Sequence, residues 1–130
     1  LDGFESARPA ELSGGMRQRA ALLRTVVAGR EVLLLDEPFG ALDSLTRTAM
    51  QEWLEGMRVR YGWTTLLITH DVREAVFLSD RVLVLSPRPG RIRRDLTIDL
   101  PRPRTAALLT DPRFAEAEAD LLATLRTPPR

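Results

Sequence analysis

The chain has 130 residues, is 44% hydrophobic and 28% charged, and carries a formal net charge of +1. This is the composition of a globular domain, which argues against disorder and a fibrous architecture, and the near-neutral charge argues against nucleic-acid binding by bulk charge. The absence of cysteine and the presence of one histidine exclude disulfide scaffolds, zinc fingers, thiol catalysis and multi-histidine metal sites.

The first half of the chain predicts helices that alternate with buried strands. A helix is predicted over residues 16–28, and its apolar residues recur every three or four positions: Met16, Ala20, Leu23 and Val27. The apolar run over residues 32–35 predicts a strand buried on both faces, as in a parallel sheet. A second helix over residues 45–61 and a second buried strand over residues 64–69 are predicted to follow.

The second half predicts a short helix over residues 72–78 and two strands, over 82–85 and 92–100, around a proline- and glycine-containing turn. A final amphipathic helix is predicted over residues 112–125. This order of elements predicts an α/β fold, a three-layer sandwich with a terminal antiparallel hairpin and helix.

Polar residues follow both buried strands at the point where each strand ends. Asp36 and Glu37 follow the first strand, and His70 follows the second. Because the carboxyl ends of parallel strands face the ligand crevice, we expect these three side chains to share one crevice. Taken alone, the acidic pair could equally cap a turn, and a lone histidine after a strand is more often structural.

A second polar segment, Ser13-Gly14-Gly15, leads into the first helix. Glycine allows another group to approach the backbone closely, and a helix start offers free N–H groups and the positive end of the helix dipole. The hydroxyl of Ser13 adds a further donor. This segment therefore predicts a phosphate-binding site. Its specificity comes from Gln18, Arg19 and the later acidic pair, since Ser-Gly-Gly alone is common in turns.

Together these segments resemble the ATP-binding cassette (ABC) ATPases. Residues 12–19 resemble the signature motif of that family, residues 32–37 its Walker B strand and residues 41–43 its D-loop. His70 lies where the switch histidine would be. The resemblance covers about residues 12–100 and implies part of a P-loop NTPase cassette domain.

The resemblance implies ATP and Mg²⁺ as cofactors and assigns a role to each candidate residue. Glu37 would be the general base and His70 would contact the γ-phosphate. Asp36 would hold Mg²⁺ through its water shell. The other candidates would bind ATP held by the opposite subunit or organise the contact between two cassettes: Ser13, Gly14, Gly15, Gln18 and Asp43.

A complete cassette also carries a P-loop, in which backbone N–H groups and a lysine bind the phosphates. All 19 basic residues of this chain are arginine, so it contains no P-loop lysine. The resemblance therefore implies the C-terminal part of a cassette over residues 1–104, followed by a helical extension and tail over 105–130. We expect this fragment to hydrolyse little ATP by itself.

Residues 36–43 resemble bacterial importers, and residues 46–54, 74–81 and 99–104 resemble the nitrate, sulfonate and taurine group. The expected function is the ATPase subunit of an importer, peripheral on the cytoplasmic face of the membrane. Its expected partners are a second cassette subunit, membrane permease subunits and, indirectly, a solute-binding protein, with no nucleic acid. A non-transport ABC ATPase and an inactive cassette-fold binding module stay open as alternatives.

Overall fold

The computed structural model describes residues 1–128, so Pro129 and Arg130 of the predicted tail lie outside the described residues. The chain divides into two compact units, Leu1–Ile68 and Thr69–Arg130. The predicted extension over residues 105–130 belongs to the second unit, together with residues 69–104.

The first unit contains a 3₁₀ turn at Pro9–Glu11, followed by α1 (Gly14–Val27), β1 (Val32–Asp36), α2 (Ser44–Tyr61) and β2 (Thr64–Ile68). Strands β1 and β2 pair in parallel, with Val32 opposite Thr64 and Asp36 opposite Ile68. The predicted helices and strands of this unit are confirmed to within two residues at each end. Helix α1 begins earlier than expected because Ser13 caps it.

Helix α2 has a clear signal at each end. The Asp43 side chain accepts a hydrogen bond from the Thr46 amide at its start. At its end, Gly62 adopts a left-handed backbone (φ 66°) and donates its N–H to the carbonyl of Arg58. Glycine is favoured at this position because a side chain would strain the left-handed conformation.

The expectation that β1 and β2 are buried on both faces is wrong. In β1, Leu33 is 1% exposed whereas its neighbour Leu34 is 70% exposed. Successive side chains of a strand point to opposite faces, and only one face of this sheet is covered within residues 1–128. The exposed large apolar residues of the two strands are Val32, Leu34, Leu66 and Ile68.

The apolar stripe predicted for α1 is displaced by one position. Leu22 and Val26 are buried, at 3% and 9% exposure, whereas Val27 is 78% exposed. Each buried residue has an apolar neighbour in sequence, so two adjacent faces of the helix share the same periodicity. Periodicity alone could not select between them.

The second unit contains α3 (Val72–Leu78), β3 (Arg81–Leu85), β4 (Ile92–Thr97), a 3₁₀ turn (Ala106–Thr110) and α4 (Pro112–Arg126). Strands β3 and β4 form an antiparallel pair, with an irregularity between Val84 and Leu85. The α/β class is confirmed, and within residues 1–128 the strands form two separate two-stranded sheets.

Strand β4 ends at Thr97, opposite Arg81 where β3 begins, and not at residue 100 as predicted. Two of the next carbonyls bond to an arginine. Arg104 is 3% exposed, and its guanidinium donates to the carbonyls of Ile98 and Leu100 at 3.4 and 3.3 Å. It also donates to carbonyls at the end of α3, at 2.6–3.1 Å: Val76, Phe77 and Ser79. Arg104 thus joins the end of α3 to the segment after β4.

Arginines of the hairpin connect β4 to α4. Arg94 pairs with Asp120 at 2.6 Å, and Arg93 donates to the carbonyl of Thr127. No helix within residues 1–128 combines the length and the apolarity that crossing a membrane requires.

Candidate functional site

The signature segment forms the start of α1. Ser13 is the N-cap, and its Oγ accepts a hydrogen bond from the amide of Met16 at 3.1 Å. Gly14 and Gly15 are the first two residues of the helix. A Cβ on Gly14 would meet no heavy atom within 4 Å, whereas a Cβ on Gly15 would lie 3.3 Å from Cδ2 of Leu42. Gly14 therefore borders open space, and Gly15 packs against the residues that follow β1.

Glu37 immediately follows β1 and has an unusual backbone. Its φ of 47° lies in the left-handed region, which costs a residue other than glycine on the order of 1–3 kcal/mol. Its N–H donates to the carbonyl of Ile68 at 2.8 Å, which completes the pairing of Asp36 with Ile68. Such conformations persist where surrounding bonds impose them, and they cluster at functional sites.

Residues 37–43, which we term the acidic loop, are bound to α1 through Gln18. Its Nε2 donates to the carbonyl of Glu37 at 2.8 Å, and its Oε1 accepts from the amide of Ala41 at 2.6 Å. The side chain of Gln18 thus bonds to two points of the acidic loop. Its predicted role in ATP binding stays a prediction.

Arg47, which follows the acidic loop in the chain, also binds it. This role was not predicted from the sequence. Its Nε donates to the carbonyl of Phe39 at 3.3 Å, and its Nη2 donates to the carbonyl of Leu42 at 3.0 Å. A cation near the start of a helix opposes the helix dipole. The position of an arginine near the predicted start of α2 was therefore the signal in the sequence that Arg47 has a specific partner.

Asp43 ends the acidic loop and caps α2. Its two carboxylate oxygens accept from the amide and the hydroxyl of Thr46, both at 2.9 Å. These hydrogen bonds, the backbone one first, hold the pKa of Asp43 below its ordinary value. Its predicted contact with a second cassette is untested.

Asp36 is the last residue of β1 and is exposed. Carboxylate oxygen suits Mg²⁺, which keeps several waters and binds proteins through one or two carboxylates together with substrate phosphates. Within residues 1–128 no group of three or more histidine, aspartate or glutamate side chains could hold a metal ion. The predicted role of Asp36 as a magnesium ligand stays a prediction.

His70 lies in the second unit, in the turn before α3. The next residue, Asp71, caps α3 by accepting from the amide of Glu74 at 3.1 Å. The amide of Asp71 in turn donates to Oγ1 of Thr69 at 3.0 Å. His70 is therefore flanked by two residues that shape the turn, and the expected crevice shared with Asp36 and Glu37 stays a prediction.

Comparison with known proteins agrees with these motifs. The ABC transporter family model matches residues 2–40. The chain is 47% identical to a nitrate import ATP-binding protein of Synechocystis over 97% of its own length and 50% of that protein. It is 53% identical to an aliphatic sulfonates import ATP-binding protein of Nocardia farcinica, over 96% of its own length and 50% of that protein. The chain thus spans about half the length of these curated relatives.

The fold has a similar counterpart among solved structures. It matches a dimeric ATP-binding cassette in a post-hydrolysis state with ADP and Pi, with a TM-score of 0.70 and 29% identity. The match covers 77% of this chain and 42% of the solved chain. The signature segment, the strand that ends in two acidic residues, the sequence relatives and the fold agree, and the chain is similar to ATP-binding proteins of the ABC transporter family.

Proposed function

We propose that this chain supplies the general base and the signature segment of an ATPase that drives solute import. The observation that carries the proposal is Glu37, which follows a parallel strand in a left-handed conformation and is bonded through both flanking peptide groups. A carboxylate that must accept a proton at a defined place benefits from such restraint. The two named relatives, which are import ATP-binding proteins, support the same function.

In the proposed reaction, the carboxylate of Glu37 accepts a proton from the water that attacks the γ-phosphate. Phosphoryl transfer depends mainly on positioning and on stabilisation of charge, so the protein needs few reacting groups. His70 donates a hydrogen bond to the γ-phosphate. Asp36 holds Mg²⁺, which neutralises charge on the phosphates when it is bound with ATP.

The signature segment acts on the nucleotide of a second cassette in this proposal. The exposed start of α1, with Ser13 and Gly14, offers N–H groups and a positive dipole end to a γ-phosphate. The active unit is then a dimer with two composite sites. Permease subunits receive the conformational change, which places the protein on the cytoplasmic face of the membrane. The solute would be of the nitrate, sulfonate or taurine type.

The test is phosphate release by a complete cassette in which this chain provides the C-terminal half. The N-terminal half is taken from the 53% identical Nocardia farcinica relative. Glu37→Gln keeps the shape of the side chain but cannot accept the proton, so we expect hydrolysis to fall at least about 100-fold while ATP still binds. The matched control is Glu31→Gln, because Glu31 is exposed just before β1. Normal turnover by Glu37→Gln, or none by the parent cassette, would refute the proposed function.

A further inference from the structure

We infer that Gln18 is a positioning residue that fixes the backbone of Glu37, and through it the direction of the catalytic carboxylate. The inference rests on the proposed function, because it concerns the same base. Gln18 lies on α1, and no part of it needs to touch water or nucleotide to act in this way. Its contribution passes entirely through Glu37.

The side-chain amide of Gln18 matches the chemistry of both its partners. A carbonyl only accepts hydrogen bonds and a backbone N–H only donates them. Gln18 faces one of each, the carbonyl of Glu37 at 2.8 Å and the N–H of Ala41 at 2.6 Å. Only a side chain with a donor and an acceptor on one planar group satisfies both points together. A carboxylate, a thioether or a hydrocarbon cannot.

The helix that carries Gln18 is anchored by buried side chains. Leu22 and Val26 follow Gln18 at intervals of four residues, so the three side chains lie on one face of α1. Both apolar residues are buried. The amide therefore projects from a helix that is packed into the core of the first unit, and the acidic loop is held against a fixed point.

The backbone of Glu37 is held by hydrogen bonds on both sides of its Cα. Its N–H is bonded to Ile68 of β2, and its carbonyl is bonded to Gln18. These two peptide groups flank the Cα of Glu37, whose φ of 47° is uncommon for residues other than glycine. The carbonyl of Glu37 also accepts from the amide of Gly40, at the longer distance of 3.3 Å. With the Gln18 bond removed, this carbonyl loses its shorter bond and is held less tightly, so Glu37 can relax toward negative φ. Because Cβ turns with the backbone, the carboxylate then leaves its position.

The experiment uses the same complete cassette with Gln18→Met, which removes both hydrogen bonds at similar side-chain length. Gln18→Glu is the second variant, since it keeps an acceptor for Ala41 but replaces the donor to Glu37 with a repelling oxygen. The control is Gln51→Met, a substitution of the other glutamine of the chain, in α2. We expect kcat to fall about 10- to 100-fold in both Gln18 variants, with the KM for ATP and the number of bound ATP molecules unchanged.

The decisive measurement combines Gln18→Met with Glu37→Gln. If Gln18 acts only through the base, removing it from the Glu37→Gln protein should leave the small residual rate unchanged. An unchanged residual rate supports the inference. A further fall by the factor seen in the parent, or an unchanged kcat in both single Gln18 variants, overturns it. The proposed function fails separately, if Glu37→Gln itself turns over ATP at the parent rate.

Discussion

Gly15 packs against Leu42, the residue that precedes the cap of α2. A Cβ on Gly15 would lie 3.3 Å from Cδ2 of Leu42 and 3.5 Å from the carbonyl oxygen of Ala41, while a Cβ on Gly14 would meet no heavy atom within 4 Å. The two glycines therefore meet different requirements. Gly15 allows α1 to approach the acidic loop within one chain, whereas Gly14 leaves backbone open to an outside group.

This difference gives a sharp test of the proposed action on the partner's nucleotide. Gly14→Asp should leave the stability and the ATP loading of a subunit unchanged, because its side chain enters open space. It should nevertheless abolish turnover, since a carboxylate beside a γ-phosphate is repelled at short range. The measurement is hydrolysis by mixed dimers of Gly14→Asp subunits and subunits without the P-loop lysine of the N-terminal half.

Each homodimer should be inactive, while the mixture should regain part of its activity, because one of its two sites carries neither lesion. ATP loading is measured alongside turnover to recognise strict coupling between the sites. Gly15→Ala serves as the comparison, and it should lower stability through its contact with Leu42. Loss of ATP binding by isolated Gly14→Asp subunits would contradict the assignment.

A second prediction concerns the pH dependence of α2. The bonds from Thr46 lower the pKa of Asp43 below its ordinary value of 3.8. A lowered pKa means that the folded chain favours the charged carboxylate. The stabilisation is therefore complete above the ordinary pKa and is lost as the pH falls through the lowered one.

The measurement is the free energy of unfolding by urea between about pH 5 and pH 2, compared with Asp43→Asn. Asparagine is also a good N-cap but does not titrate. The variant should lose the part of the pH dependence that belongs to this carboxyl. Identical pH profiles for the two proteins would show that the cap does not titrate as expected.

A third prediction concerns the stability contributed by Arg104. Arg104→Met leaves buried carbonyls of α3 and of the segment after β4 without their donor. We therefore expect the free energy of unfolding, measured with urea, to fall by an amount on the order of 3 kcal/mol or more. Arg104→Lys should be intermediate, because an ammonium cannot match the planar fork. The matched control is Arg94→Met, whose half-exposed pair with Asp120 should contribute no more than about 1 kcal/mol. Equal losses at both positions would be the contrary result.

A fourth prediction concerns the isolated chain. It should release negligible phosphate from ATP, because it has no lysine to form a P-loop. It should also self-associate, since the open face of β1 and β2 exposes several large apolar side chains. Leu34→Thr with Leu66→Thr should reduce light scattering, because threonine suits a strand but is polar. Robust hydrolysis that Glu37→Gln abolishes would contradict the first part, and unchanged scattering the second.

Much of the fold could be predicted because its signals are local. Helix α3 has the predicted bounds, Val72–Leu78, and β1 and β2 begin at the predicted residues, Val32 and Thr64. Caps at Ser13 and Asp43 are equally local, since each side chain bonds an amide three residues later. Burial was harder to predict. Both faces of β1 are apolar in sequence, so which face is buried depends on the elements that pack against it.

The parts that could not be predicted depend on residues far apart in the chain. The bond between Gln18 and Glu37 joins positions 19 residues apart, and no motif states it. The left-handed backbone of Glu37 is also hidden, because a glutamate gives no sign of positive φ. The family resemblance named these residues, but their mutual support is visible only in three dimensions.

The buried guanidinium of Arg104 should make opening of the second unit cooperative. One side chain is bonded to carbonyls that lie between 4 and 28 residues earlier in the chain. The end of α3 and the segment after β4 therefore cannot open one at a time without breaking bonds to the same group. In native-state hydrogen exchange, their amides should behave as a single subglobal unit.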